Sequence, residues 1–254
     1  MAGILKKIMT LTAAVLLACG CRAAEDAPEE ENYLVKINGE TVSAEEFNIY
    51  MYETQNSFEL LGGEDIWQTD FDGRTAESVA RDNALATVTL VKFAGERARE
   101  AGIELSEDEA SSADALAEEA YESLTDSQRE TIGADLELYK KVMRENALYN
   151  EVYKYIVSDY VVSEDEFEQY YEQNRDELVK QYEEAYGVEN TEDTGDGTAG
   201  DGTAGDEDAV RDFAHYNYEE YMRQLYFQRE FDRWEENADI VRNQSLWNAV
   251  TLIK

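Results

Sequence analysis

The sequence predicts a mainly α-helical fold with one small strand pairing, and three observations carry that reading. The chain of 254 residues holds a single proline, Pro28, beside many Glu, Ala, Leu and Arg, a composition that suits long helices. Helix-start signals recur along it: Ser43 with Glu46, Ser106 with Glu109, Thr125 with Gln128 and Ser163 with Glu166, each with the spacing of a capping box. Strand-forming runs are short and lie near the two ends of the folded part. Apolar content of 43% supports a buried core and excludes wholesale disorder.

The first 18 residues form a secretory pattern, with Lys6 and Lys7 ahead of the apolar run Ile8 to Ala18. The run is short for a membrane span, which needs about 20 residues. Leu16-Leu17-Ala18-Cys19 resembles a bacterial lipobox, which implies lipidation of Cys19; Cys21 is the alternative. A disulfide between Cys19 and Cys21 would be strained at that spacing, and no further cysteine exists to complete a metal set. Residues 19–32 then read as an acidic tether.

Residues 33–188 read as a helical domain. Leu34, Val35 and Ile37 form a strand, and Asn38-Gly39 a tight turn. Phe47, Tyr50, Met51, Phe58 and Leu61 make one apolar face of the first helix. Leu61-Gly62-Gly63 stops it, and Trp67 and Phe71 are expected to pack the following loop on the core. A long helix spans Thr75 to Ala101 with Ala84, Val88, Val91, Ala94 and Ala98 on one face, ended by Gly102. Leu116, Tyr121 and Leu124 belong to the next helix. Leu136, Tyr139, Val142, Met143, Tyr149, Val152, Tyr153 and Ile156 mark one of about six turns. Phe167, Tyr170 and Tyr171 follow the fourth start signal. Residues 189–210 are rich in Gly, Asp and Thr and read as a flexible linker. Residues 211–254 return to helix, then a strand over Asp239 to Arg242, with Ile240 and Val241 expected near Val35 and Ile37. Trp247 and Leu252 are expected to close the surface.

Three phrases, taken in order, resemble the SurA/PrsA-type extracytoplasmic chaperone family: the strand, Asn-Gly turn and helix start of Tyr33 to Tyr52, the GIELSEDE turn, and VSEDEFEQYYEQNRDEL. The closing FDRW and ADI are similar to the helix and strand that return to complete the N-terminal domain of that family. The resemblance implies a SurA N-terminal or trigger-factor C-terminal-like helical domain with a two-stranded pairing of its N- and C-terminal strands. Relatives carry a parvulin prolyl isomerase domain after the third phrase; here the linker stands in its place. The implied function is binding of unfolded or newly exported polypeptides without cofactor or ATP, on the outer face of the bacterial cytoplasmic membrane. A scaffold or partner-binding surface lipoprotein is the alternative, and an active prolyl isomerase is a further one.

Charge narrows the partners. Lys+Arg 22 against Asp+Glu 58 gives −36, which argues against nucleic acid and against charge-driven docking on anionic lipid. Without Lys6 and Lys7 the balance is 20 to 58, or −38, and a lipid anchor would hold such a chain at a membrane where charge could not. No catalytic residue and no metal set is predicted. His215 is the only histidine, stands near the linker with no nucleophile motif beside it, and reads as a structural or exposed residue at a helix start. Tyrosine is abundant, 17 against Phe 8 and Trp 3, and offers contact area with a polar tip. Tyr50, Tyr52, Tyr149, Tyr153, Tyr170 and Tyr171, with Tyr182 and Tyr186, are the residues expected to be exposed and to bind clients.

Overall fold

The computed structural model describes residues 33–186 and 203–253. The signal-like segment, Cys19, Cys21 and the tether therefore lie outside the described residues. Among the described residues, eight α-helices and a small amount of antiparallel sheet make up the fold. The chain divides into two compact units, one from Met1–Lys154 with Trp234–Lys254, the other Tyr155–Arg233.

In the first unit the sheet has three strands, not the expected two. Strand β1 (Val35–Ile37) pairs antiparallel with β2 (Glu40–Val42) on one side and with β5 (Ile240–Arg242) on the other. The added strand follows from the turn itself. Asn38 and Gly39 take φ of 49° and 83°, the doubly left-handed pair of a two-residue hairpin, so the chain folds straight back along β1. Asn38 also docks the C-terminal strand. Its backbone N–H donates to the Asp239 carbonyl at 2.8 Å, and its Oδ1 accepts from Asp239 N at 2.9 Å. Ile240 and Val241 lie beside the first strand, as expected from the sequence, in a register that pairs Ile37 with Ile240, Lys36 with Val241 and Val35 with Arg242.

Helix α1 (Ala44–Gly62) buries Phe47, Ile49, Tyr50 and Met51. Leu61, expected on that face, is exposed instead, because the helix end runs beyond the core. The following segment is structured rather than a loop: a 3-10 turn (Glu64–Gln68) and a hairpin of β3 (Asp70–Phe71) and β4 (Arg74–Thr75). Trp67 and Phe71 are half-buried and pack on Phe58, with ring centroids 5.7 and 6.3 Å away. Helix α2 (Ala76–Ala101) is capped by Thr75, packs against α1, and buries Ala76, Ala80, Ala84, Val88, Val91 and Ala94. Small side chains at this spacing let the two helices approach closely. Gly102, with φ 69°, ends α2 in the left-handed conformation and donates to the Ala98 carbonyl.

Helix α3 (Glu107–Ser123) and helix α4 (Asp126–Ile132) both open with complete capping boxes, Ser106/Glu109 and Thr125/Gln128. Helix α5 (Leu136–Val157) is held to α3 by the two-pronged Arg144–Asp114 pair, with both contacts at 2.6 Å, and by Lys140–Glu118 at 2.8 Å. At the C-terminus, the short helix α8 (Gln244–Trp247) lays Trp247 edge-on against Phe47 at 5.3 Å. Beyond it Ile253 is clamped by a buried side chain: Gln55 Nε2 donates to the Ile253 carbonyl at 2.8 Å, and Ile253 N donates to Gln55 Oε1 at 2.9 Å. The amide thus acts as a one-residue strand for the chain end.

The second unit is built on helix α6 (Glu164–Tyr186) and most of helix α7 (Thr203–Glu235). Helix α7 begins at Thr203, so Thr203 to Val210, assigned to the linker from sequence, are helical. The two helices run antiparallel, since Glu168 pairs with Arg211 and Arg175 with Glu207. Val162, Phe167, Tyr171, Leu178, Val210 and Ala214 form their common core.

Candidate functional site

Four sets of side chains carry chemistry or contact surface. The first is a buried ion cluster in the first unit. Lys92 on α2 is 2% exposed, and its Nζ lies 2.7 Å from Glu46 Oε1, 2.8 Å from Glu145 Oε2 and 3.1 Å from Glu40 Oε1. Lys141 joins Glu46 at 2.8 Å and Glu145 at 3.5 Å, and Arg99 joins Glu40 at 3.4 Å. The cluster ties β2, α1, α2 and α5 together. It also corrects the expected first capping box. Ser43 does accept from Glu46 N at 3.2 Å, but the Glu46 carboxylate turns inward to the two lysines instead of back to the cap. Burial alone would weaken the Lys92 ammonium; the Glu46 and Glu145 carboxylates outweigh it and hold its pKa above the ordinary lysine range. Lys92 therefore stays charged at neutral pH, unlike the deprotonated amine that lysine nucleophiles require.

The tyrosines form the second set. Tyr50 and Tyr171, expected at the surface, are buried. Tyr50 lies under the ion cluster, and burial with the nearby Glu145 and Glu46 charges pushes its phenol well above the usual range. Tyr52, Tyr149, Tyr153, Tyr170 and Tyr182 are half-buried. Tyr170 stacks on Tyr218 at 4.6 Å, and Tyr182 meets Phe213 edge-on at 5.7 Å. Of the eight, Tyr186 alone is exposed. The physical reason is helix packing: the 3.6-residue period that makes these tyrosines visible in sequence also turns them into the helix interfaces.

His215 comes third. It lies well inside α7 rather than at a helix start, edge-on to Phe167 at 4.6 Å, with Nε2 3.5 Å from Glu164 Oε1. Its neighbours are those of a packed aromatic ring. Among the described residues, no group of three or more His, Cys, Asp or Glu side chains is placed to hold a metal ion. No helix among the described residues is long and apolar enough to cross a membrane.

The fourth set is exposed apolar surface, which the sequence reading missed. In the first unit Leu60 and Leu61 are 75% and 79% exposed. In the second, Tyr155, Val161, Tyr216, Tyr221 and Leu225 are exposed, with Tyr221 and Leu225 one turn apart on α7. No local signal marks them, since adjacent apolar residues such as Tyr50 and Met51 share the buried face of the same helix. Compared with known proteins, the chain matches no family model, no curated protein and no solved structure.

Proposed function

We propose that this protein is a chaperone-like lipoprotein, held by an N-terminal lipid on the outer face of a bacterial cytoplasmic membrane. It binds unfolded or newly exported polypeptides and carries no isomerase domain of its own. In this reading the first unit is a SurA N-terminal-like domain, completed by the return of β5 to β1, and Tyr155–Arg233 is inserted between its two parts. One observation carries the proposal: large apolar side chains stay exposed on a chain with a net charge of −36. Contiguous exposed apolar surface, such as adjacent Leu60 and Leu61 offer, is the kind that marks interaction sites, and the charge opposes self-association of loaded complexes.

The energetics suit transient holding. Each exposed leucine or tyrosine covered by a client contributes about 2 kcal/mol, while association costs at least about 4 kcal/mol. Three or four such contacts leave at most about 2–4 kcal/mol, an affinity weak enough for release without ATP. The scale of the contact set, rather than any switch, sets the release rate.

The test uses the soluble form from Glu25 onward. Light scattering of an aggregating, unrelated unfolded protein is followed at stoichiometric ratios, and proline isomerisation is assayed on the same sample. Suppressed aggregation without isomerase activity is expected. Absence of suppression would favour the partner-binding scaffold, and isomerase turnover would overturn the assignment of the region after Leu178.

A further inference from the structure

The end of α1 and the hairpin that follows it form an apolar tip with an acidic rim. Leu60 and Leu61 project at the helix end, 75% and 79% exposed. Behind them Phe58 stacks on Trp67, with centroids 5.7 Å apart and planes within 7°. Phe58 stands one turn from Leu61, on the same side of the helix. The tip is built rather than frayed. Gly63, with φ 65° and its N–H on the Glu59 carbonyl at 2.8 Å, closes the helix. Gly62 lets Ile66 pack directly on the backbone, since a Cβ there would stand 2.8 Å from Ile66 Cδ1. Glu59 Oε1 accepts from Trp67 Nε1 at 2.9 Å and from Gln55 Nε2 at 3.2 Å, which fixes the indole. The hairpin turn is locked by Asp70 Oδ1, which accepts from Gly73 N at 2.7 Å.

Along residues 64–75 the exposed charges are the acids Glu64, Asp65, Asp70 and Asp72 and the single cation Arg74. The cation of the hairpin, Arg74, is already paired with Asp82. The rim therefore carries uncompensated negative charge beside two leucines in water. An anionic membrane would be repelled by it. A peptide with apolar residues flanked by Lys or Arg matches both features at once, the side chains covering Leu60 and Leu61 and the cations meeting the rim.

We propose that this tip is a docking site for an extended polypeptide segment whose apolar residues are flanked by basic ones. The inference rests on the proposed chaperone reading and names the client chemistry that one surface of it would select.

The experiment measures fluorescence anisotropy of two labelled short peptides with the same Leu/Phe centre, one flanked by Lys and one by Glu. The protein is used from Glu25 onward, as wild type and as the double variant Leu60→Ser/Leu61→Ser. Both leucines are exposed, so the variant is expected to keep the wild-type circular dichroism spectrum and Tm. Wild type is expected to bind the Lys-flanked peptide at least about tenfold more tightly than the Glu-flanked one, and the variant to lose about tenfold or more, the change that about 1.4 kcal/mol produces. Raising the salt should narrow the difference between the peptides. Equal binding by wild type and variant, or no preference for the Lys-flanked peptide, overturns the proposal. So does a wild-type dimer in sedimentation that the variant dissolves, which makes a second copy the occupant, or binding to neutral lipid vesicles that the variant loses. The two readings fail separately. A variant that suppresses aggregation as well as wild type but binds peptide as wild type does removes the tip and keeps the chaperone. Tight Lys-flanked peptide binding without suppression removes the chaperone and keeps the tip.

Discussion

Lys92 shows how one residue can hold several elements together. Three carboxylates surround its ammonium, from β2, α1 and α5, and it is almost wholly buried. Removing one partner of such a cluster leaves an uncompensated buried charge, which costs about 3–5 kcal/mol, whereas removing opposite charges together costs far less. Lys92→Met should therefore lower stability by about that amount in urea unfolding. Lys92→Met/Glu46→Gln should recover a large part of it, and a double variant no more stable than the single one would refute the account. Tyr50 gives the pH dependence. An unfolded tyrosine titrates near about 10 and a lysine near about 10.4. Both groups have raised folded values, so the fold keeps their protons past that range. Their contribution is complete below the unfolded values and is lost as pH rises above about 10. Tm should fall on the alkaline side, and Tyr50→Phe should make that fall shallower while costing no more than about 1 kcal/mol at neutral pH.

At the scale of elements, the two ends of the first unit are fastened by contacts between residues far apart in sequence. Asn38 secures β5 through Asp239, and Gln55 secures Ile253. The Gln55 amide satisfies one donor and one acceptor of the chain end. Gln55→Ala leaves both to find water by fraying, at a cost of about 2 kcal/mol. We expect faster hydrogen exchange at Ile253 and a lower Tm, with the amides of α3 unaffected. Unchanged exchange at Ile253 would show that Trp247 and Val250 hold the segment without the clamp. In the second unit the antiparallel pair α6 and α7 relies on an aromatic seam, with Arg211 placed over both Phe167 and Tyr171 while pairing with Glu168.

For the whole molecule, the division into two units predicts how it unfolds. All three tryptophans, Trp67, Trp234 and Trp247, belong to the first unit, while helical ellipticity arises in both. Tryptophan fluorescence and far-ultraviolet circular dichroism followed through the same urea titration should give different midpoints, since coincident probes are the mark of a single transition. Coincidence would mean that the two units unfold as one cooperative body.

The helices themselves were legible in the sequence, because capping signals, glycine stops and helical periodicity are local. Ser106/Glu109, Thr125/Gln128, Gly102 and the alanine face of α2 are found where that chemistry puts them. The Asn-Gly turn was also legible, and so was the pairing of Ile240 and Val241 with β1. Tertiary structure decided what each side chain faces. Periodicity marks a helix face without saying whether another helix covers it, so Tyr50 and Tyr171 went inside while Leu60 and Leu61 stayed in water. Spacing suggests that Glu46 closes a cap, but a buried lysine on another helix attracts its carboxylate more strongly than the cap does. Local propensity is a property of neighbours in sequence; burial and charge pairing depend on neighbours in space, and here they join residues as distant as Gln55 and Ile253.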